Sequence, residues 1–295
     1  QLDNLQGLGT DYIHLNQEQY DLILELLETG GGQNYNGISP TTIAVQNIPA
    51  GTDISSLTLS DLLENIYAPF ILPTISSFSI QSQTTPVEVG SIISGSKTFL
   101  SSFTNTGNIT PNSLSIIDVT NSTTLGSALP IAASNTVNVG SITKNIPSTN
   151  QWRSSVLSTQ GDIIVSPLFT VNWYWRVFAG INTNPILNET QIEALVISSL
   201  RSNQFTTYSL PSTGYKYICY PDSFGPPTAI TGFKDINTNL AIPMADSTSD
   251  AFYSNVQNGW NYGLVSVTNS FGITTNYRVY RTLNILGGTI SILVS

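Results

Sequence analysis

Apolar residues follow two different periods along this chain. Near its start, Tyr20, Ile23, Leu24 and Leu27 recur at the spacing of one helical face, and Leu22 and Leu26 widen that stripe. Asn16 caps the predicted helix, Gln19 completes a capping box, and Leu15 and Tyr20 form the hydrophobic staple. The glycines at 30–32 stop it. A second helix is predicted over 59–67, with Thr58 and Asp61 as its box and Pro69 beyond its end. A third starts at Asn188, with Gln191 completing the box, Leu187 and Ile192 as staple, and Ile192, Leu195, Val196 and Ser199 as its apolar face.

From residue 73 onward the period is two. The clearest strand is 168–178, where Phe169, Val171, Trp173, Trp175 and Val177 form one apolar face. The other face carries Leu168, Thr170, Asn172, Tyr174, Arg176 and Phe178, which look to solvent or to a partner chain. Further strands are predicted at 75–79, 97–103, 113–119, 136–142 and 152–157, separated by Gly, Asn, Ser and Pro clusters at sandwich spacing. Beyond residue 182, strands are expected at 215–220, as a hairpin of 263–269 with 273–281, and as a pair within 283–294. Residues 224–227 and 255–261 read as exposed loops. The fold class is mainly β: an N-terminal helix, a disulfide-free immunoglobulin-like β-sandwich, and a C-terminal β-rich domain with one helix. The units run 1–35, 36–72, 73–181 and 182–295.

Composition narrows the function. Only 9% of the 295 residues are charged, against roughly 25% in an average soluble protein. Ser, Thr, Asn, Gln and Gly take their place, a surface chemistry of extracellular adhesins and virion fibres rather than of catalytic domains. Nine Lys and Arg against a net charge of −9 argue against nucleic-acid binding. No apolar run reaches the roughly 18 residues of a membrane span, so none is expected. One cysteine, Cys219, excludes an intramolecular disulfide, and with the single histidine, His14, gives too few ligands for a zinc site.

Catalytic chemistry has little to build on. His14 lies beside Tyr12 and Leu15 with no nucleophile-elbow sequence, and reads as a packing or assembly contact. Asp222, Asp235, Asp246 and Asp250 fall near C-terminal loops and could supply a pair of glycosidase acids, or could be turn residues bonded to their own backbone. No cofactor or metal is expected. The aromatics Phe224, Tyr253 and Trp260 are the candidate receptor contacts, because flat rings in loops offer low-entropy surfaces to sugars and proteins. Tyr20, Ile23, Leu24, Leu27 and Tyr174 are the candidate assembly contacts.

Three stretches resemble fibre and adhesin proteins of tailed bacteriophages. Asp11-Tyr12-Ile13-His14-Leu15 followed by Gln17-Glu18-Gln19-Tyr20 is similar to a segment near their attachment regions. Gly51-Thr52, the predicted helix and Ala68-Pro69-Phe70 resemble the lead into their immunoglobulin-like module. Trp152-Arg153, Gln160-Gly161-Asp162 and 169–180 look like the end of that module, and 217–221 with 277–281 are similar to distal fibre domains. The resemblance implies a structural protein of the virion surface, usually a homotrimer. It would be held to other virion proteins by its N-terminal segment and would meet a host glycan or protein. A polysaccharide-degrading tail spike and a bacterial immunoglobulin-like surface adhesin are the alternatives.

Overall fold

The computed structural model describes residues 73–104, 111–158, 163–229 and 232–295. The helix carrying Tyr20, Ile23, Leu24 and Leu27, the helix at 59–67 and His14 lie outside the described residues, as do the units 1–35 and 36–72. The described chain is mainly β. Its first part contains β1 (Thr74–Ile80), β2 (Val87–Glu88), β3 (Ile92–Thr104), β4 (Pro111–Asp118), β5 (Thr123–Leu129), β6 (Ser134–Thr143), β7 (Ser148–Ser158), β8 (Ile163–Val165) and β9 (Phe169–Asn182). One sheet runs β1-β3-β6; the other contains β5-β4-β7-β9, with β2 parallel to β9 and β8 on β7. Alternation of apolar and polar positions, clearest along β6, β7 and β9, gives both sheets one greasy face. These faces meet in a core that includes Phe78, Phe99, Leu114, Ile116, Val139, Trp152, Val171 and Trp173. Trp173 is fully buried and still satisfied, because its indole N–H donates to the Ser91 carbonyl at 3.0 Å.

The remainder contains α1 (Glu189–Glu193), β10 (Ile197–Arg201), β11 (Thr206–Leu210), β12 (Tyr215–Pro221), β13 (Phe233–Asp235), β14 (Asn255–Gln257), β15 (Trp260–Thr268), β16 (Thr274–Arg281) and β17 (Ile290–Val294). The second sheet continues into it: β9 pairs with β7 through Phe169–Trp173 and with β12 through Phe178–Asn182, and the order runs on β12-β16-β15-β14. Strict alternation therefore ends at Val177, after which Phe178, Ala179 and Gly180 are all buried. Val177, Ala179, Ile218, Tyr220 and Tyr280 share a core with the small sheet β11-β17-β13. Phe178, Tyr217, Cys219, Tyr277 and Val279 belong to another, with Ile192 and Leu195 at α1.

The third predicted helix forms with its capping box: Gln191 N–H donates to the Asn188 side chain and Asn188 N–H to that of Gln191. It is a single turn, so Ile192 and Leu195 are buried while Val196 is exposed and Ser199 lies in β10. Three expectations are corrected. Phe178 is not left uncovered on the outer face of β9, because α1 and Tyr277 (ring centroids 5.8 Å apart) close over it. Residues 255–261 are not a loop: Asn258 and Gly259, with φ of 51° and 79°, make the two-residue turn of a β14–β15 hairpin. Residues 283–294 do not pair with each other, because β17 is held between β11 and β13.

The tip of the β15–β16 hairpin docks on the sandwich. Asn269 accepts from the N–H groups of Phe271 and Ile273, and its own amide donates to the Val89 carbonyl at 2.6 Å. Gly90 receives the tip: its φ is +89°, and a Cβ there would lie 2.7 Å from both Ile273 Cγ1 and Phe271 Cβ. Gly90→Val is expected to cost about 3 kcal/mol from left-handed strain and overpacking together. Urea denaturation checks this; an unchanged midpoint would show that the tip yields freely.

Candidate functional site

Below that docked hairpin the described surface opens into a cleft of ≈ 280 Å³. Its lining comes from five places in the chain: Glu88 of β2, Arg176 of β9, Glu193 of α1, Ser198 of β10, and Asn269, Ser270 and Tyr277 of the hairpin region. Phe178, nearly fully buried on the same face of β9 as Arg176, forms its apolar base, and Trp175 borders it while packing into the sandwich core. β9 and β10 run antiparallel with Ser198 opposite Phe178, which sets the Ser198 hydroxyl near the Arg176 guanidinium.

Arg176 organises the polar groups. Its Nε and Nη2 both donate to Glu88 Oε2, at 3.3 and 2.8 Å, and Nη1 donates to Ser198 Oγ at 3.0 Å. Glu88 Oε1 is outside that fork. The bond to Glu88 raises the Arg176 pKa above its ordinary value against the opposing cost of burial, so the guanidinium keeps its charge. Tyr277 donates to the Arg176 carbonyl at 2.7 Å, and burial raises its phenol pKa. Glu193 is exposed and forms no ion pair among the described residues. The cleft thus holds two carboxylates and one guanidinium, a net charge of −1.

The residues expected from sequence lie elsewhere. Tyr174 is half-buried on the outer face of β9, and Leu168 is 49% exposed. Tyr253 is not an exposed contact: it is fully buried, donates to the Pro185 carbonyl at 2.9 Å, and its ring lies 5.0 Å from the Arg281 guanidinium. Trp260 is half-buried, set edge-on to Phe233 at 5.2 Å, and donates to the Thr228 carbonyl. Phe224 is half-buried and stacks on Tyr220 at 6.3 Å. The aromatic richness of this region therefore serves its core first.

Three of the four aspartates bond close neighbours in sequence, and the fourth is held by a distant arginine. Asp222 is ion-paired to Arg278 at 2.6 Å. Asp235 accepts from Asn237 N–H and the Thr238 hydroxyl, and Asp250 caps Phe252 N–H. Asp246 accepts from Thr248 and Ser249, bonds that hold its carboxyl below the usual carboxylate range. No group of three or more His, Cys, Asp and Glu suited to a metal occurs among the described residues, and no helix there is long and apolar enough to cross a membrane. Glu88, Arg176, Glu193 and Ser198 carry no sequence signature, since only the fold brings them together.

No family profile and no curated protein matches the chain. A solved structure of Streptomyces avermitilis α-L-rhamnosidase complexed with L-rhamnose is similar to it at 11% sequence identity and a TM-score of 0.27. The likeness covers 75% of this chain and 23% of that one. At that level it carries no argument about fold or chemistry.

Proposed function

We propose that the chain is a non-enzymatic structural protein of a virion, part of a trimeric bacteriophage fibre or adhesin that projects from the particle and contacts the host surface. The observation that carries this reading is the chemistry of the exposed strand faces. Where many sheets place ion pairs, two sheets here pair neutral groups: Ser77 with Ser102 at 2.9 Å and Thr98 with Thr136 at 3.0 Å on the first, Ser266 with Asn276 at 2.8 Å and Thr268 with Thr274 at 2.9 Å on the second. Such contacts are indifferent to salt, which suits a surface outside the cell.

The topology supports an immunoglobulin-like module. A three-stranded β1-β3-β6 sheet faces β5-β4-β7-β9, β2 runs parallel to β9, and the lone Cys219 is buried in the other part of the chain. Burial raises its thiol pKa and leaves it a small apolar side chain. The engagement of Asp235, Asp246 and Asp250 with near neighbours and of Asp222 with Arg278 gives the polysaccharide-degrading alternative no added support. For assembly, Leu157, Ile163, Val165 and Leu168 are 41 to 71% exposed on β7, β8 and the entry to β9, an apolar edge for a second copy to cover.

Two measurements test the reading. The purified chain is expected to run as a trimer by light scattering; a monodisperse monomer at micromolar concentration overturns the trimer. Gold-labelled antibodies to the chain should mark a projecting fibre on intact phage particles that carry it. Particles with no label overturn the virion assignment.

A further inference from the structure

We propose that the cleft below the β15–β16 hairpin binds one neutral sugar unit of a surface glycan, with Glu193, Glu88 and Ser198 as its hydrogen-bonding residues. The assignment rests on the adhesin reading and names the ligand class and place that reading leaves open. Size comes first: ≈ 280 Å³ holds a single pyranose ring, and the exposure of Glu193, Ser198 and Ser270 lets a longer glycan leave the cleft.

Hydrogen-bonding capacity gives the class. A sugar hydroxyl both donates and accepts, so it suits a site rich in acceptors with a few donors. Glu88 has Oε1 free of the Arg176 fork, and the Glu193 carboxylate has two oxygens without an ion-pair partner among the described residues. The Ser198 oxygen already accepts from Arg176, which leaves its hydrogen to donate. Arg176 spends its charge on Glu88 and is not free to capture an anion. With a net charge of −1, the cleft repels uronic and sialic acids, while neutral sugar hydroxyls bond its carboxylates without bringing a second charge to desolvate. Asn269 is no ligand group, because both ends of its amide are used in the hairpin tip.

The test presents the full chain to an array of neutral hexose-terminated oligosaccharides, glucuronate- and sialate-terminated ones, and lysine-rich peptides. Hits are then titrated by isothermal calorimetry, which needs no reporter side chain in the cleft. Binding to neutral glycans is expected, weakened about tenfold or more by Glu193→Ala, which removes a charge-assisted bond, and by Ser198→Trp, which fills the space. Both positions are exposed, and unchanged melting curves confirm that the variants fold. Preference for acidic glycans or for lysine-rich peptides overturns the proposal, as does neutral-glycan binding that survives both substitutions. Labelled fibres together with cleft-independent glycan binding would remove this site and leave the fibre reading standing. Cleft-dependent binding by a chain absent from particles would keep the site and remove the virion.

Discussion

Raising the pH from 9 to 11 is expected to unfold this protein cooperatively, while stability changes little between pH 5 and 8. Tyr208, Tyr217, Tyr220, Tyr253, Tyr277 and Tyr280 are all buried, and burial raises each phenol pKa above its ordinary value near 10. A group whose folded pKa is raised keeps its proton when the unfolded chain has lost it. Its contribution is therefore complete below pH 10 and falls as pH rises beyond. At pH 11 each such group costs about 1.4 kcal/mol, and the six together cost about 8 kcal/mol, the size of a whole domain's stability. Lys216 works the other way, since desolvation lowers its pKa and stability rises with pH up to its unfolded value. One such group does not offset six. Tyrosinate absorbance and far-ultraviolet circular dichroism should change together in one steep transition. Phenols that ionise gradually near pH 10 with the fold intact would show that they are open to water.

Lys216→Met is expected to cost about 3 kcal/mol or more. Lys216 is fully buried on β12, and the three N–H groups of its ammonium are shared among four surrounding carbonyls, those of Leu210 at 3.4 Å, Pro211 at 3.2 Å, Gly288 at 3.0 Å and Ser212. One side chain thereby ties the β11–β12 connection to the turn before β17. Methionine keeps the apolar stem and removes the charge, leaving the buried Leu210 carbonyl and the part-buried carbonyls of Pro211, Ser212 and Gly288 without this donor, at about 3 kcal/mol together. Chemical denaturation of this variant beside Lys97→Met, a half-buried lysine on β3 expected to move stability by about 0.5 kcal/mol or less, gives the comparison. Equal midpoints would mean that water replaces the ammonium without cost.

How much of this was legible depended on how local the cause was. The β9 alternation, the strands at 75–79, 113–119, 136–142 and 152–157, and the Asn188 capping box rest on neighbours in sequence, and all are present. The Asn258-Gly259 hairpin was equally local; the Asn-Gly pair itself is its signal, since both residues accept the positive φ such a turn needs, and the aromatic and amide residues around it disguised it as a loop. Lys216 misleads for a different reason. In an alternating strand a lysine implies solvent, and only the ring of carbonyls from 210–212 and 288 reverses that. Tyr253 read as a loop aromatic because the Pro185 carbonyl that satisfies its hydroxyl lies 68 residues away. The cleft was invisible for the same cause, since Glu88 and Tyr277 meet only because the hairpin tip reaches Gly90.

The sharing of β9 between the two parts of the chain has a mechanical consequence. A strand that leaves one ladder with β7 and enters another with β12 and β10 offers no linker in which to bend. Tension applied along β9 loads its inter-strand hydrogen bonds in shear, where many must break together, rather than peeling them one at a time. The Glu88–Arg176 ion pair and the Asn269 contact to Val89 bridge the same junction. Force drawn through the sandwich thus reaches the cleft with its orientation preserved, and the ladder is strained before the groups that line the cleft are turned.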